Sequence, residues 1–316
     1  MQKSDDIRVY EAQRTDVPRI KELIRIENDE PGITETYLDW WYFQAPGSRP
    51  SVVIAENGQD QLVGMTTMRN FPLWHRGQVV QMAMPQKVLT AESVRGKGLF
   101  GRLYRAAEAV NAGQNVVNFL AFPNLVARPI YLAKFSYVVG QSPDIWLIPL
   151  PMGALRPRVK LHERFDRAVL AAAAGQKVEN TFVKDAEYLI WRYEQNPLEK
   201  PVYKVGLYRG DTLVGYAVLA TTVKRGILLA CLMDMFCLPG EDMRPLVGQV
   251  KRAAASLGAY ALLTLEHPQL VCFRDTWMTY TVKNRFNFIV KGQDAQWAED
   301  LAGRRFGFTF GDLDFI

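Results

Sequence analysis

The stretch Tyr37-Leu-Asp-Trp-Trp-Tyr-Phe-Gln-Ala-Pro46 occurs a second time in this chain, in altered form, as Tyr188-Leu-Ile-Trp-Arg-Tyr-Glu-Gln-Asn-Pro197. Six of the ten positions are identical, at an offset of 151 residues. The same offset carries the tripeptide at 62–64, Leu-Val-Gly, onto an identical tripeptide at 213–215. Two matches in one register indicate an internal repeat, so we expect the chain to contain one fold twice.

Each copy follows the same plan. A helix with aromatic side chains at i, i+3 and i+4 ends at a proline, and a strand, a polar turn and a second strand follow, as in a β-hairpin. In the first copy the residues predict strands over 7–11, 51–56, 61–71, 78–91 and 116–121 and from 137, and helices over 16–26, 34–44, 99–113 and 126–134. Strands that alternate with helices after an antiparallel start predict a mixed α/β (α+β) sheet. We therefore expect two tandem domains, 1–150 and 151–316, joined by the proline-containing stretch 141–158, with a helix near 158–174 opening the second.

The composition sets broad limits on the class of protein. The 316 residues are 48% hydrophobic and 22% charged, which is typical of a globular chain. The net charge of +5 allows an anionic partner or cofactor. Because no run of five like charges occurs, the sequence argues against a nucleic-acid-binding arm.

Cysteine usage and hydropathy limit the cellular compartment and the kinds of site that the sequence allows. Cys231, Cys237 and Cys272 form neither a disulfide framework nor a C-x-x-C pattern, so no metal site is expected. The N-terminus lacks the apolar core of a signal peptide. The most apolar stretch, 226–238, is too short to span a bilayer and contains Asp234. We therefore expect a cytoplasmic protein without a membrane segment, and the oligomeric state stays open.

The segment from Val88 to Phe100 is the strongest candidate for a ligand site. It reads Val-Leu-Thr-Ala-Glu-Ser-Val-Arg-Gly-Lys-Gly-Leu-Phe and runs from a predicted strand through a loop into a helix. The first turn of a helix offers unpaired N–H groups and partial positive charge. Gly96 and Gly98 let that backbone approach a ligand closely, and Arg95 and Lys97 add full charges. A pyrophosphate fits this arrangement, although neither a P-loop nor the G-x-G-x-x-G fingerprint is present.

The order of elements around this loop resembles the GNAT superfamily of acyl-CoA N-acyltransferases. That family carries Gln/Arg-x-x-Gly-x-Gly/Ala, and Arg95 and Gly98 match it. The later segment 122–137, with Phe-Pro-Asn at 122–124, Tyr131 and Phe-Ser-Tyr at 135–137, resembles the family's Asn…Tyr…Gly-Phe region. The resemblance covers about residues 7–140. Phe100 and Ser136 depart from it, since the family usually has Gly or Ala at the first position and Gly at the second; Phe100 would have to turn its ring into the core.

The resemblance implies an acyl-CoA cosubstrate, acetyl-CoA or another acyl-CoA, with its pantetheine bound along the fourth strand near Leu89 and Ala91. Tyr131 matches the family's general acid by position, although a tyrosine packed locally is an equal alternative. No general base is assigned, because strand 78–89 contains no Asp, Glu or His, and His75 is expected in an exposed turn. The implied cofactor-binding residues are Leu89, Thr90, Ala91, Arg95, Gly96, Lys97, Gly98, Leu99, Phe100, Gly101 and Asn124.

Other residues yield weaker hypotheses. The second copy reads Cys237-Leu-Pro-Gly-Glu-Asp-Met-Arg244, lacks Arg-x-x-Gly and carries two acids, so we expect a degenerate cofactor site there. Among Tyr37, Trp40, Trp41 and Tyr42, Trp41 is the one that is not repeated, because Arg192 takes its place, which makes it a candidate wall of the acceptor pocket. Asp312 and Asp314 could recognise an amine, with a surface strand end as the alternative.

Together these observations predict an N-acyltransferase, most simply an N-acetyltransferase, that acts on the amine of a small molecule or amino sugar by direct attack on the thioester. Two alternatives stay open at this point. One is a non-catalytic GNAT-like module that binds coenzyme A or a partner, and the other is an aminoacyl-tRNA-dependent transferase.

Overall fold

A computed structural model describes residues 7–28, 30, 32–150, 159–198, 201–276, 278–283 and 286–313. In the first copy, the longer helices and strands of the described chain occur where the sequence pattern predicts them. The strands are β1 Arg8–Glu11, β2 Ser51–Glu56, β3 Leu62–His75, β4 Gln78–Thr90, β5 Asn118–Ala121, β6 Val138–Val139, β7 Ile145–Pro149, β8 Leu161–His162, β9 Thr181–Phe182, β10 Val202–Arg209, β11 Thr212–Lys224, β12 Ile227–Cys237, β13 Ala261–Leu265, β14 Tyr280–Val282 and β15 Ile289–Lys291. The helices are α1 Val17–Asn28, α2 Glu35–Phe43, α3 Leu99–Gly113, α4 Ala127–Lys134, α5 Arg167–Ala173, α6 Ala186–Glu194, α7 Arg244–Ser256, α8 Val271–Arg274 and α9 Ala295–Ala302.

The strands form two mixed sheets, which confirms the predicted α/β class. The first has the order β1-β2-β3-β4-β5-β15-β6, with β9 paired to β3, and the second has the order β14-β7-β13-β12-β11-β10-β8. In each sheet a parallel pair, β4 with β5 and β12 with β13, follows antiparallel hairpins. The predicted helix near 158–174 is wrong in length, since α5 begins only after Asp166, whose side chain accepts hydrogen bonds from the first turn.

The two sheets exchange strands. β7 precedes residue 150 in sequence but lies in the second sheet, between β13 and β14. β15 comes from the second half of the chain but lies in the first sheet, between β5 and β6. The division at 150 stays a prediction, and residues 151–158 lie outside the described part of the chain. Each sheet therefore contains a strand from the other half of the sequence.

The repeated aromatic helices pack against each other. Trp40 of α2 and Trp191 of α6 occupy equivalent positions in the repeat, and their rings stack with centroids 4.4 Å apart. Trp41 lies beside this pair, 5.6 Å from Trp191. The guanidinium of Arg69 lies 4.4 Å from the Trp41 ring centroid and 4.2 Å from that of Trp191. The recurrence of these aromatics therefore reflects a shared core between the two halves.

Among the described residues, none of the helices is both long and apolar enough to cross a bilayer. The helix that follows the glycine loop is amphipathic instead. α3 buries Leu99, Leu103 and Ala107 against the first sheet.

Candidate functional site

A cleft opens in the first sheet where β4 and β5 separate. The two strands pair only at Met82 with Asn118 and at Ala83 with Phe119, after which β4 continues to Thr90 and β5 ends at Ala121. The cleft has a volume of about 950 Å³. Its lining includes Pro85, Gln86, Val88, Thr90, Arg95, Gly96, Gly98, Leu99, Phe100, Gly101, Arg105, Ala121, Phe122, Pro123, Asn124, Val126, Tyr131 and Lys134.

A bulge in β4 helps to open this cleft. Thr67 of β3 faces two residues, Gln86 and Lys87, since Met68 pairs with Pro85 and Thr66 with Val88. The amide of Lys87 donates to the Thr67 hydroxyl (3.2 Å) in place of a backbone carbonyl. The bulge therefore shifts the residues beyond it by one position relative to a regular ladder.

The strand beyond the bulge presents alternate backbone groups to the cleft. The amide of Ala91 donates to the carbonyl of Val63 (2.8 Å), so Ala91 and, by alternation, Leu89 direct their backbone groups at β3. Val88 and Thr90 then direct theirs at the cleft, which they line. Leu89 and Ala91, which the resemblance places along the pantetheine, do not line the cleft, and their role stays a prediction.

The glycine loop lies at the mouth of the cleft. Gly96 and Gly98 have φ angles of +79° and +76°, in the left-handed region where a side chain is strained, and open space surrounds both α-carbons. Gly98 is the N-cap of α3. The amides of Leu99 and Phe100 lack acceptors within the helix, because they belong to its first turn. The loop thus directs backbone donors and the positive end of a helix at the cleft.

Basic side chains surround these donors. Arg95 pairs with Glu27 of α1 (2.9 Å) and donates to the carbonyl of Thr90 (3.1 Å), which fixes the loop to its neighbours. Lys97 is exposed and lies outside the cleft lining. Arg105 and Lys134 line the cleft and are exposed, and no carboxylate of the described chain forms an ion pair with either. Neither residue was predicted from the sequence. Arg105 follows Gly98 by seven residues, about two helical turns. This spacing places both on the same face of the helix, so the position of Arg105 near the glycine loop could have been predicted.

The ring of Phe100 points into the core, as a bound phosphate would require. Its centroid lies 5.7 Å from that of Tyr131 and 5.5 Å from that of Phe135. The large side chain therefore packs beneath the helix, while the backbone of Phe100 stays at the cleft.

Tyr131 is buried beneath α3 but lies in the cleft lining. Its neighbours Tyr104 and Tyr137 bond to each other through their hydroxyls (2.8 Å), whereas within the described chain the Tyr131 hydroxyl forms no hydrogen bond. Burial raises the pKa of Tyr131 well above its ordinary value, so the hydroxyl stays protonated. Its O–H group can therefore donate a hydrogen bond to a ligand in the cleft.

The segment after β5 is shaped by two polar residues. The Asn124 side-chain carbonyl accepts from the amides of Val126 (3.1 Å) and Ala127 (2.8 Å), so this residue both lines the cleft and starts α4. Ser136 has a φ of +57°, which explains why a glycine would suit this position.

Trp41 reaches the cleft only indirectly. Its ring is buried and its indole N–H donates to the side-chain carbonyl of Gln86 (2.9 Å), a cleft residue in the β4 bulge. Trp41 therefore supports the strand and does not form an open wall of a pocket within the described chain.

The second sheet contains a related separation that is filled. β12 and β13 pair from Leu229 to Cys231 and then diverge. The side chain of Gln176 occupies the gap, donating to the carbonyl of Cys237 and accepting from Gln269 (2.6 Å). The turn 310–312 packs on β12 beside it. What remains is a cavity of about 50 Å³.

Asp312 belongs to this filled region, so its expected position at a surface strand end is wrong. It is buried and pairs with Lys184 (2.8 Å), which also pairs with Asp234. Asp314 lies outside the described residues. His75 is likewise buried and not exposed as predicted: its ring nitrogens lie 2.7 Å from the side-chain oxygen of Asn180 and 3.2 Å from Asp300.

In the described residues no group of His, Cys, Asp or Glu is arranged to hold a metal ion. No family sequence profile matches the chain, and no curated protein sequence matches it. Its fold, in contrast, matches solved structures along more than nine-tenths of the chain.

A probable N-acyltransferase from Enterococcus faecalis V583 superposes with a TM-score of 0.63 at 13% identity, covering 92% of this chain and 73% of that one. A GCN5-related N-acetyltransferase from Anabaena variabilis gives 0.64 at 13% identity, covering 91% and 73%. Saccharomyces cerevisiae N-myristoyltransferase with bound myristoyl-CoA gives 0.60 at 10% identity, covering 92% and 80%. The chain therefore has a GNAT-type fold, with two mixed sheets.

Proposed function

We propose that this protein is an acyl-CoA-dependent N-acyltransferase whose donor site is the cleft between β4 and β5. The observation that carries the proposal is the glycine loop at the cleft mouth, where two left-handed glycines and the first turn of α3 direct unpaired amides at one space. A pyrophosphate satisfies those donors and the helix dipole. Arg105 and Lys134, which lack a carboxylate partner in the described chain, supply charge for the phosphates of coenzyme A.

The acyl-bearing arm of coenzyme A suits the inner part of the cleft. The outward-facing backbone groups of Val88 and the amide of Thr90, whose carbonyl accepts from Arg95, can pair with its amides as an added strand would. A neutral amine then attacks the thioester carbonyl directly, and a backbone N–H of β4 stabilises the developing oxyanion. Tyr131, whose hydroxyl is not engaged elsewhere in the described chain, donates a proton to the leaving thiolate and regains one from the acceptor nitrogen, so the net transfer moves the amine's proton to the thiol. The acceptor is a small-molecule amine or amino sugar.

The second copy is proposed to have no donor site. Gln176 and the turn 310–312 fill the gap between β12 and β13. At the start of α7, Glu241 pairs with Arg209 (2.9 Å) and Asp242 pairs with Arg244 (3.0 Å), so both cations at that turn are already neutralised by acids. These contacts support one working and one degenerate copy within the predicted domains 1–150 and 151–316.

Calorimetric titration with acetyl-CoA tests the donor site. Gly98→Glu places a carboxylate and a strained residue at the phosphate position. The affinity for acetyl-CoA should therefore fall at least about 100-fold, more than the loss of one charged contact would cause. Gly240→Glu is a matched control: Gly240 has a φ of +83°, lies in open space and precedes the corresponding helix of the second copy. It should bind acetyl-CoA as the wild type does. Absence of acetyl-CoA binding to the wild-type protein would contradict the proposal.

Thiol release across a panel of amines separates catalysis from binding alone. An N-acyltransferase releases free coenzyme A in proportion to amide formed, whereas a non-catalytic module binds acetyl-CoA and releases none. Release from acetyl-CoA without tRNA also excludes dependence on an aminoacyl-tRNA donor.

A further inference from the structure

Two neighbouring apolar side chains stand out from the surface at the edge of the donor cleft. Leu125 and Val126 are each 79% exposed, the highest exposure among the large hydrophobic residues of the described chain. They directly precede α4. Val126 lines the cleft, whereas Leu125 lies outside it. Exposed apolar side chains of this kind, beside polar groups, mark surfaces that contact other molecules.

The surrounding surface is strongly basic. α4 and the first two turns of α3 contain Arg105, Arg128 and Lys134 but no Asp or Glu; Arg102, also in α3, instead donates to the carbonyl of Ile7 beside β1 (2.6 Å). The exposed Lys97 adds a further positive charge at the glycine loop, outside the cleft lining. No carboxylate of the described chain forms an ion pair with Lys97, Arg105, Arg128 or Lys134, unlike Arg95, which pairs with Glu27. Such a field favours an acidic partner.

Free coenzyme A accounts for only part of this surface. Its phosphates can meet the basic residues that line the cleft, Arg105 and Lys134, and its adenine can cover Val126. Leu125 and Lys97 lie beyond the lining, so a partner that covers them extends over the rim of the cleft. The same phosphopantetheine arm is also found on acidic carrier proteins, which present a protein surface around the arm.

We propose that the rim formed by Leu125, Val126, Lys97, Arg105 and Lys134 docks an acidic, phosphopantetheine-bearing carrier protein as the acyl donor. This inference rests on the proposed function, because the arm enters the same cleft. The transfer stays balanced: the acceptor nitrogen forms a bond to the acyl carbon, the carbon–sulfur bond breaks, and the arm leaves as a thiol carrying the proton lost by the amine.

Fluorescence anisotropy with a labelled acyl carrier protein tests the docking surface. The carrier is used in its holo form, with the phosphopantetheine arm, and in its apo form. We expect the holo form to bind the intact protein and the apo form to bind more weakly. Affinity should fall as salt rises, because the rim is cationic and exposed.

The variant Leu125→Asp separates carrier docking from coenzyme A binding. It should weaken holo-carrier binding about tenfold or more, since it replaces an apolar contact with a repelling charge, and leave acetyl-CoA binding within about twofold. Val223→Asp is the matched control, because Val223 is 66% exposed but lies on β11 of the second sheet. It should change neither ligand's affinity.

Four results overturn the inference. If acetyl-CoA binds but the holo carrier does not, the donor is free coenzyme A and the proposed function stands. If Leu125→Asp weakens acetyl-CoA and carrier equally, the rim is an adenine contact. If the wild type instead binds anionic lipid vesicles through Leu125 and ignores the carrier, the rim is a membrane contact. If neither acetyl-CoA nor the carrier binds, the proposed function fails as well.

Discussion

At the scale of single residues, the three buried tyrosines at the inner face of α3 have different environments. Tyr104 and Tyr137 satisfy each other's hydroxyls, whereas the Tyr131 hydroxyl forms no hydrogen bond within the described chain and its ring lines the cleft. Buried polar groups are nearly always paired, so an unpaired hydroxyl at a ligand site is more useful to the ligand than to the fold.

The substitution Tyr131→Phe should therefore lower kcat about 100-fold, the loss typical of a general acid, with little change in the KM for acyl-CoA. Its free energy of unfolding should change by less than about 0.5 kcal/mol, because no hydrogen bond within the described chain is lost. Tyr104→Phe is the control: it leaves Tyr137 without its partner and should cost about 1–3 kcal/mol of stability without a comparable effect on kcat. Steady-state kinetics and urea unfolding measure both. Equal losses of kcat in the two variants would contradict the assignment.

His267 is a second residue with a measurable effect, in this case on the pH dependence of the free energy of unfolding. It is buried, its Nδ1 accepts from the amide of Gln269 (3.2 Å), and burial, reinforced by the charge of Lys184 and opposed by that of Asp234, lowers its pKa from 6.5 to about 3. The folded protein therefore keeps this imidazole neutral where the unfolded chain protonates it.

Stability should consequently fall on acidification. Above about pH 6.5 neither state binds the proton and the contribution of His267 is complete; between about 6.5 and about 3 only the unfolded chain binds it, so the free energy of unfolding decreases as pH falls. At about pH 4 the loss should be on the order of 3 kcal/mol. Urea unfolding across this range, wild type against His267→Gln, measures it. A variant with the same pH slope as the wild type would show that other groups carry the acid sensitivity.

At the scale of elements, the sequence predicted the features that depend on neighbouring residues, such as the starts of helices. The aromatic helix begins after Thr34, whose hydroxyl accepts from the amide of Tyr37, and α3 begins at a left-handed glycine, as their sequences indicate. The bulge at Gln86 was not predicted, although Pro85 beside it is a residue that strands accommodate at bulges, and it reverses which residues of β4 face the cleft. The burial of His75 was equally hidden, because it depends on Asn180 and Asp300, more than a hundred positions away.

The stack of Trp40 on Trp191 gives a test at this scale. Trp40→Phe and Trp191→Phe each remove part of a buried aromatic pair that joins α2 to α6, so each should destabilise the protein, and a double-mutant cycle should give a coupling of about 1 kcal/mol. The pair Trp40 and Trp146 is the control, because Trp146 belongs to a different core cluster and its effect should add. Thermal unfolding of the variants measures the coupling. Additivity for Trp40 and Trp191 would contradict a shared core.

At the scale of the whole molecule, the sequence repeat predicted two copies of one fold, but it could not predict that they exchange strands. Strands of two to five residues, such as β7 and β15, carry too little periodicity to show which sheet they join. Their choice depends on the partner edges that the rest of the chain presents. The exchange means that the sheet holding the donor cleft is closed by β15, a segment about 170 residues beyond β5 in sequence.

This architecture predicts that the two predicted domains depend on each other for folding. Expressed alone, residues 1–150 lack β15, which leaves the edges of β5 and β6 unpaired and the ring of Trp40 without its partner, and residues 151–316 lack β7. Neither fragment should show cooperative thermal unfolding by itself, because each loses an internal strand of its sheet. Co-expression should yield a complex in which both sheets are complete, and that complex should bind acetyl-CoA within about tenfold of the intact chain, the difference being the entropy of association. Circular dichroism and titration of the separate and combined fragments measure this. If 1–150 alone unfolded cooperatively and bound acetyl-CoA as tightly as the intact protein, the exchanged strands would be dispensable, and the first domain would be an independent unit.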